Sequence, residues 1–120
     1  MKRLIVLSLI FILLNGISEA KHLNKEAYYQ QKWCRAKGGI TEYKLDDNTR
    51  VDCLLKDKAV EFDFASKWAE CTGQALYYGI KTNRKGACAL IMENGTSDLK
   101  YLKRLNTTAQ KAGIEVIEIK

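Results

Sequence analysis

Two short strand-like segments joined by a two-residue turn constrain the fold more than any other part of this chain. The turn, Lys56-Asp57, joins a segment that contains Asp52 to one that contains Glu61 and Asp63. Such a turn sets Asp52 directly opposite Glu61, and opposite residues of an antiparallel pair point to the same face. Asp63 lies two residues beyond Glu61 and points there too. The apolar residues of the other face are Val51, Cys53, Val60 and Phe62. The hairpin is therefore predicted to have one acidic face and one apolar face.

The segment before this hairpin extends both faces. A three-residue loop, Asp46 to Asn48, sets Glu42 beside the acids and turns Tyr43 and Leu45 to the apolar face. A two-residue loop would shift the register by one residue and expose those apolar side chains. The three-residue loop is therefore favoured, and it adds Glu42 to the acidic face. The basic neighbours of that face are Lys44 and Arg50.

Hydrophobic periodicity and turn residues predict the element order α-β-β-β-α-β-α-β. The predicted helices cover residues 25–37, 64–79 and 97–112, and the predicted strands cover 40–45, 49–55, 58–63, 86–92 and 114–119. The fourth strand, GACALIM, is a continuous apolar run of the kind that is buried on both faces of a sheet. The sequence thus predicts an α/β fold with a mixed central sheet.

The first twenty residues have the pattern of a secretory signal peptide. Lys2 and Arg3 precede an apolar run, and small residues at Ser18 and Ala20 predict cleavage after Ala20. An uncleaved membrane anchor is the alternative, but a span needs about 20 apolar residues. We therefore expect a single domain over residues 21–120 that is exported, periplasmic or secreted, with no stable membrane insertion.

Charge and cysteine content fit an exported domain with a polyanionic partner. The net charge of the chain is +6, which suits nucleic acid. An even set of cysteines in an exported chain indicates disulfides, with buried free thiols as the alternative and three pairings open. These cysteines are Cys34, Cys53, Cys71 and Cys88. A single histidine and the lack of a Cys-x-x-Cys pair argue against a zinc site.

The predicted helix after the acidic hairpin has a polar stripe. Lys67, Gln74 and Tyr78 fall within roughly 40° of one another at helical spacing. Lys67 is expected over the acids, and Gln74 and Tyr78 further along a substrate groove; the alternative is that all three are ordinary surface residues. The predicted core-facing residues of this helix are Phe64, Trp68, Cys71, Ala75 and Leu76.

Crowded carboxylates repel one another, so a positive charge should neutralise them. Arg50, Lys44 and Lys67 are one source of that charge, on an otherwise solvated face. A divalent cation is the other, and oxygen ligands of this kind suit Mg²⁺ or Mn²⁺.

The order α-β-β-β-α-β, with the segments Val51-Asp52 and Glu61-Phe62-Asp63, resembles the PD-(D/E)XK nuclease superfamily. The resemblance implies a restriction-endonuclease-like core, here with an added C-terminal helix and strand. It also implies that Asp52 and Glu61 bind the metal and that Glu42 completes the site. A Gln-x-x-x-Tyr motif marks some DNA-processing branches of the superfamily, and Gln74 and Tyr78 match it.

This chain differs from the superfamily pattern at two positions. Val51 replaces the proline, and Asp63 stands where the catalytic lysine is usual. Some members carry that lysine on the next helix, where Lys67 lies.

The function expected from these observations is Mg²⁺- or Mn²⁺-dependent hydrolysis of DNA. The expected catalytic residues are Glu42, Asp52, Glu61, Asp63 and Lys67, and the expected substrate-binding residues are Gln74, Tyr78 and Arg50. One alternative is a catalytically inactive module that binds nucleic acid or protein through the same fold. The other is a disulfide-stapled structural protein whose acids are merely solvated.

Overall fold

The computed structural model describes residues 21–120, and the predicted signal peptide, residues 1–20, lies outside them. The described residues form an α/β fold with three α-helices and one five-stranded sheet. The elements are α1 (Glu26–Ala36), β1 (Ile40–Lys44), β2 (Arg50–Leu54), β3 (Lys58–Phe64), α2 (Trp68–Thr82), β4 (Lys85–Ile91), α3 (Leu99–Ala112) and β5 (Glu115–Ile119). Short 3₁₀ turns, Ala65–Lys67 and Gly95–Asp98, precede α2 and α3. No helix within residues 21–120 has the length and apolar character that crossing a membrane requires.

The sheet is open and mixed, with its strands in the order β1-β2-β3-β4-β5. The first three strands form an antiparallel meander, and β3, β4 and β5 are parallel. Each parallel connection contains a helix, and the two helices, α2 and α3, pack together on one face. Helix α1 packs on the other face against β1, β2 and β3. The predicted element order and the mixed sheet are therefore confirmed.

The predicted register of both hairpins is also confirmed. The Leu55 N–H donates to the Lys58 carbonyl at 2.9 Å, and Cys53 pairs with Val60, as the two-residue turn requires. In the first hairpin, the Leu45 N–H donates to the Thr49 carbonyl at 2.8 Å across the three-residue loop. This loop closes through Asn48, whose φ of +69° lies in the left-handed region that asparagine tolerates.

The apolar face predicted for these strands was wrong in two respects. Tyr43 is 40% exposed, because β1 is the edge strand and is open to solvent over most of its length. Val51 is buried, but it packs with Leu54 and Tyr78 rather than with the cluster of Cys53 under α1. The regular β1–β2 pairing is interrupted opposite Asp52 by a residue with φ of +55°. That residue is Glu42, so the irregularity coincides with the acidic positions.

Helix α2 begins and ends later than the sequence predicted. The chain first makes the 3₁₀ turn after Phe64, and the helix continues through Gly79 to a left-handed cap at Asn83, with φ of +53°. Gly79 does not end the helix; it allows α2 to approach β4. A Cβ atom at Gly79 would lie 2.8 Å from the backbone nitrogen of Gly86, closer than real Cβ contacts. Both glycines therefore serve close packing of helix on strand.

Two disulfides fasten helices to opposite faces of the sheet. Cys34–Cys53 joins α1 to β2, and Cys71–Cys88 joins α2 to β4. All four cysteines are fully buried. The prediction of disulfides is confirmed, and the pairing left open by the sequence is resolved.

We expect each disulfide to stabilise the domain by about 3 kcal/mol, because each closes a loop of 17 to 19 residues in the unfolded chain. The double variants Cys34→Ala/Cys53→Ala and Cys71→Ala/Cys88→Ala should each show a lower urea midpoint and a steeper slope, because the denatured chain is less compact without the cross-link. Urea titrations followed by circular dichroism measure this loss. An unchanged midpoint in either variant would contradict the prediction for that bond.

Candidate functional site

An acidic cluster lies where the middle of the sheet meets the start of α1 and the start of α2. Its members come from five elements. They are Glu26 of α1, Glu42 of β1, Asp52 of β2, Glu61 and Asp63 of β3, and Glu70 of α2. Their charges interact: those of Asp52, Glu70 and Glu42 raise the pKa of Glu26, and those of Glu26 and Glu70 raise the pKa of Asp63. The predicted acidic face is thus one electrostatic unit, larger than the sequence indicated.

Asp52 and Glu61 form the centre of this acidic cluster. The Asp52 backbone N–H donates to Glu61 Oε1 at 3.1 Å, and the Phe62 N–H donates to Asp52 Oδ2 at 2.8 Å. Each carboxylate therefore bonds the neighbouring strand's backbone across the hairpin. Burial raises the pKa of both groups, and the charge of Asp52 raises that of Glu61 further. The pair is held in place by the sheet but is destabilised when both members are ionised.

Asp63 is buried, 5% exposed, and its Oδ2 atom has no hydrogen-bond partner among the described residues. Burial, followed by the charges of Glu26 and Glu70, raises the pKa of its carboxyl to about 7. A buried oxygen without a partner costs free energy unless something binds it. Asp63 therefore has an oxygen that a hydrogen-bond donor or a cation could still bind.

Helix α1 contributes two residues that sequence reasoning missed, Glu26 and Gln30. Burial, then the charge of Asp52, raises the pKa of Glu26 to about 7. Gln30 is 3% exposed, and its Nε2 donates to Glu42 Oε1 at 2.9 Å and to the Asp52 carbonyl at 2.8 Å. The two residues are four apart, so they share one helix face. That spacing was the available signal in the sequence.

Lys67 is the last residue of the 3₁₀ turn before α2, and its side chain is exposed. Its charge lowers the pKa of both Asp63 and Glu26, so its ammonium group lies within electrostatic range of the acidic cluster. It forms no ion pair with any residue of the range 21–120. Glu70 follows three residues later, on the same side of the helix. Sequence reasoning missed Glu70, although its spacing from Lys67 and Gln74 placed it on the polar stripe.

The structure does not bring the three predicted substrate-binding residues together. Gln74 is half-buried on the stripe that begins at Lys67, and Arg50 is exposed on β2. Tyr78 is buried, 8% exposed, in the cluster around Val51. The prediction that places Tyr78 on the polar stripe of this helix was therefore wrong.

Helical spacing explains both errors on α2. The buried stripe runs through Cys71, Ala75 and Tyr78, spaced four and three residues apart. Leu76 lies off that stripe and is 39% exposed, although the sequence predicted it in the core.

The donors of the acidic cluster are all oxygens, which suits a hard divalent cation and excludes a zinc site built on thiolate or imidazole. No three His, Cys, Asp or Glu side chains of residues 21–120 converge into a ready ligand group. Mg²⁺ usually needs only one or two carboxylates, with water and substrate phosphate supplying the rest. Asp52 and Glu61, with the unsatisfied oxygen of Asp63 two residues on, fit that requirement.

Comparison with known proteins gives one limited match. The chain is 30% identical over 81 residues to a KilA-N domain-containing protein of Acanthamoeba polyphaga mimivirus. The match covers 68% of this chain and 32% of that protein, so the chain spans about a third of the length of the curated relative it matches. No family model and no solved structure matches the sequence.

The raised pKa values predict that the metal-free domain loses stability as pH rises. Asp63 and Glu26 bind protons more tightly when folded than when unfolded, so their contribution is complete near pH 4 and lost as pH rises through about 7. We expect Asp63→Asn to raise the free energy of unfolding at pH 8 by on the order of 1 to 3 kcal/mol, and much less at pH 4. Urea titrations in EDTA at both pH values test this.

The matched control is Asp57→Asn, which changes an exposed acid of the turn between β2 and β3, at the opposite end of β3 from Asp63. It should leave stability within about 0.5 kcal/mol at both pH values. A loss of stability at pH 8 in Asp63→Asn would contradict the electrostatic account.

Proposed function

We propose that this domain hydrolyses phosphodiester bonds of DNA with the help of Mg²⁺ or Mn²⁺, at a site of the PD-(D/E)XK kind. The observation that carries the proposal is the Asp52–Glu61 pair beside the unsatisfied Asp63, with Lys67 in electrostatic range. The element order α1-β1-β2-β3-α2-β4 supports a restriction-endonuclease-like core. Helix α3 and strand β5 are additions to that core.

In this proposal Asp52 and Glu61 hold the cation, and Glu42 and Asp63 support them. A divalent cation bound there would lower the pKa of a water molecule and neutralise charge at the scissile phosphate. The backbone N–H groups of Asp52 and Phe62 keep the two carboxylates fixed before any cation arrives. Gln30 orients Glu42 through its 2.9 Å hydrogen bond.

Lys67 supplies the positive charge that the superfamily usually takes from the position of Asp63. Its ammonium is exposed and has no ion-pair partner within residues 21–120, so it is available to a phosphate oxygen. Glu26, whose pKa is about 7, can accept a proton at neutral pH, as a general base requires. Gln74 and Arg50 remain as substrate-binding residues in this proposal. Tyr78 is assigned instead to the support of β2.

The second candidate function is nucleic-acid binding without hydrolysis. It is favoured by one observation, the acid at position 63 where the superfamily pattern has lysine. The viral relative favours neither function, because the match covers only 32% of that protein. We also propose that the domain is exported, because two disulfides in a small domain are typical of exported proteins.

The hydrolysis proposal predicts metal-dependent cleavage of plasmid DNA. We expect conversion of supercoiled to nicked or linear DNA with Mg²⁺ or Mn²⁺ and none with EDTA. Asp52→Asn, Glu61→Gln and Lys67→Ala should each reduce the rate by about 100-fold or more, because the first two remove a ligand of the cation and the third removes a positive charge at the phosphate. Gel assays of initial rate on the oxidised domain measure this.

Lys81→Ala is the matched control for Lys67→Ala, since it removes a lysine near the other end of α2 that pairs with Asp46. It should retain the wild-type rate within about twofold. Cleavage in EDTA, or a Lys67→Ala variant as active as Lys81→Ala, would reject the proposed function. DNA binding without any cleavage would favour the second candidate.

Cation binding can be tested without any activity. Mn²⁺ that binds the folded domain alone should raise its melting temperature in proportion to the logarithm of concentration. The double variant Asp52→Asn/Glu61→Gln should melt higher than wild type in EDTA and should not respond to Mn²⁺. Equal responses of the two proteins in differential scanning fluorimetry would show that the acid pair is not the cation site.

A further inference from the structure

Helix α3 presents a row of positive charge that the proposed reaction does not use. Its exposed basic residues are Lys100, Lys103, Arg104 and Lys111, and the helix contains no Asp or Glu. Lys100, Arg104 and Lys111 fall within about 40° of one another at helical spacing and span about 16 Å along the axis. We call these three residues the α3 cationic stripe.

The side chains of this stripe are not neutralised by acids. None of its members forms an ion pair with a residue of the range 21–120. Instead, Lys100 Nζ and Arg104 Cζ lie 5.0 Å and 5.6 Å from the ring centroid of Tyr101. The ring holds both cations by cation–π attraction and leaves their charge open to an external anion.

The stripe begins beside the turn that carries Lys67. A groove of about 370 Å³ runs between the end of β3 and the start of α3, and its lining includes Phe64, Ser66, Glu93, Asp98, Lys100 and Tyr101. Ser66 belongs to the 3₁₀ turn that ends at Lys67, and this turn packs against α3. The groove therefore joins the first residue of the stripe to the turn whose lysine lies within electrostatic range of the acidic cluster.

A second group of cations shows why position matters. Lys37, which directly follows α1, also lies over an aromatic ring, that of Trp33. It lines a groove with Lys56 and the other residues of the turn that begins β3, and Lys85 pairs with Lys58 at the same end of that strand. Strand β3 is seven residues long, so that turn lies about 20 Å from Asp63. These cations therefore lie at the opposite end of β3 from the acidic cluster.

We propose that the α3 cationic stripe binds the phosphate backbone of a DNA duplex whose scissile strand reaches the acidic cluster past the turn that carries Lys67. The inference rests on the proposed function, for which it names the surface that holds the substrate. A straight row of cations at helical spacing matches the regular charge of a duplex backbone. The stripe has no exposed aromatic side chain on which bases could stack, as binding of single strands requires. Tyr101 is half-buried beneath its two cations.

Fluorescence anisotropy of a labelled 20-base-pair duplex in EDTA, between about 50 and 200 mM KCl, tests this surface without cleavage. Lys100→Ala/Arg104→Ala/Lys111→Ala should weaken binding at least about tenfold at 100 mM salt. It should also reduce the slope of log K against log salt by about 2.7, since each phosphate contact contributes about 0.9. The matched control, Lys37→Ala/Lys56→Ala/Lys85→Ala, removes equal charge from the opposite end of β3 and should change affinity by less than about twofold.

The outcomes separate this inference from the proposed function. Equal losses in the two triple variants would overturn the α3 surface, because only net charge would then matter. Binding of phosphatidylglycerol vesicles but not of DNA by the wild-type domain would also overturn it. Wild-type protein that binds DNA with the predicted difference between variants, but does not cleave with Mn²⁺, would reject hydrolysis and support the surface.

Discussion

The rest of the structure depends on one constraint, the burial of two neighbouring carboxyl groups, those of Asp52 and Glu61. Their mutual repulsion and desolvation oppose folding, and backbone N–H groups of the same hairpin hold them in place. Each disulfide is anchored beside this pair: Cys53 follows Asp52, and Cys71 lies 3.6 Å, Sγ to O, from the Glu61 carbonyl. The two cross-links therefore fasten α1 and α2 to the sheet at the point where the acids would otherwise push these elements apart.

The sequence was sufficient for the parts of the site that follow from local rules. The length of each turn and the alternation of side chains along a strand determine which residues of neighbouring strands lie opposite one another. The register of β2 with β3, and the position of Glu42 beside Asp52, could therefore be predicted. The sequence could not reveal that Val51 leaves the common apolar face. That change depends on the irregular backbone opposite Asp52, where a non-glycine residue adopts a positive φ. Such strain is held in place by tertiary contacts and has no local sequence signal.

The helices were predicted less well because a helix face has meaning only once its packing partner is known. Gln30 and Gln31 are chemically identical neighbours, and only the position of the sheet decides that Gln30 is buried against Glu42. Likewise, a tyrosine suits either a buried or an exposed position, so the residue type alone does not show on which side of α2 Tyr78 lies. The close approach of α2 to β4 at the glycine pair sets the rotation of the helix and so buries Tyr78.

The distribution of charge links the acidic cluster to the α3 cationic stripe. The chain has a net charge of +6, but its acids and cations lie in different places. Acids cluster at the end of β3, and cations line α3. In the proposed function, a DNA phosphate would be repelled by the ionised acids at close range, while the stripe would attract the rest of the duplex. Approach of the scissile phosphate would therefore require that the acids first be neutralised, either by protons or by a cation. Near neutral pH protons supply part of that neutralisation, because burial and neighbouring acids raise the pKa of Glu61 to about 9 and those of Asp63 and Glu26 to about 7. In the proposed function, the divalent cation thus governs the entry of the substrate as well as the chemistry.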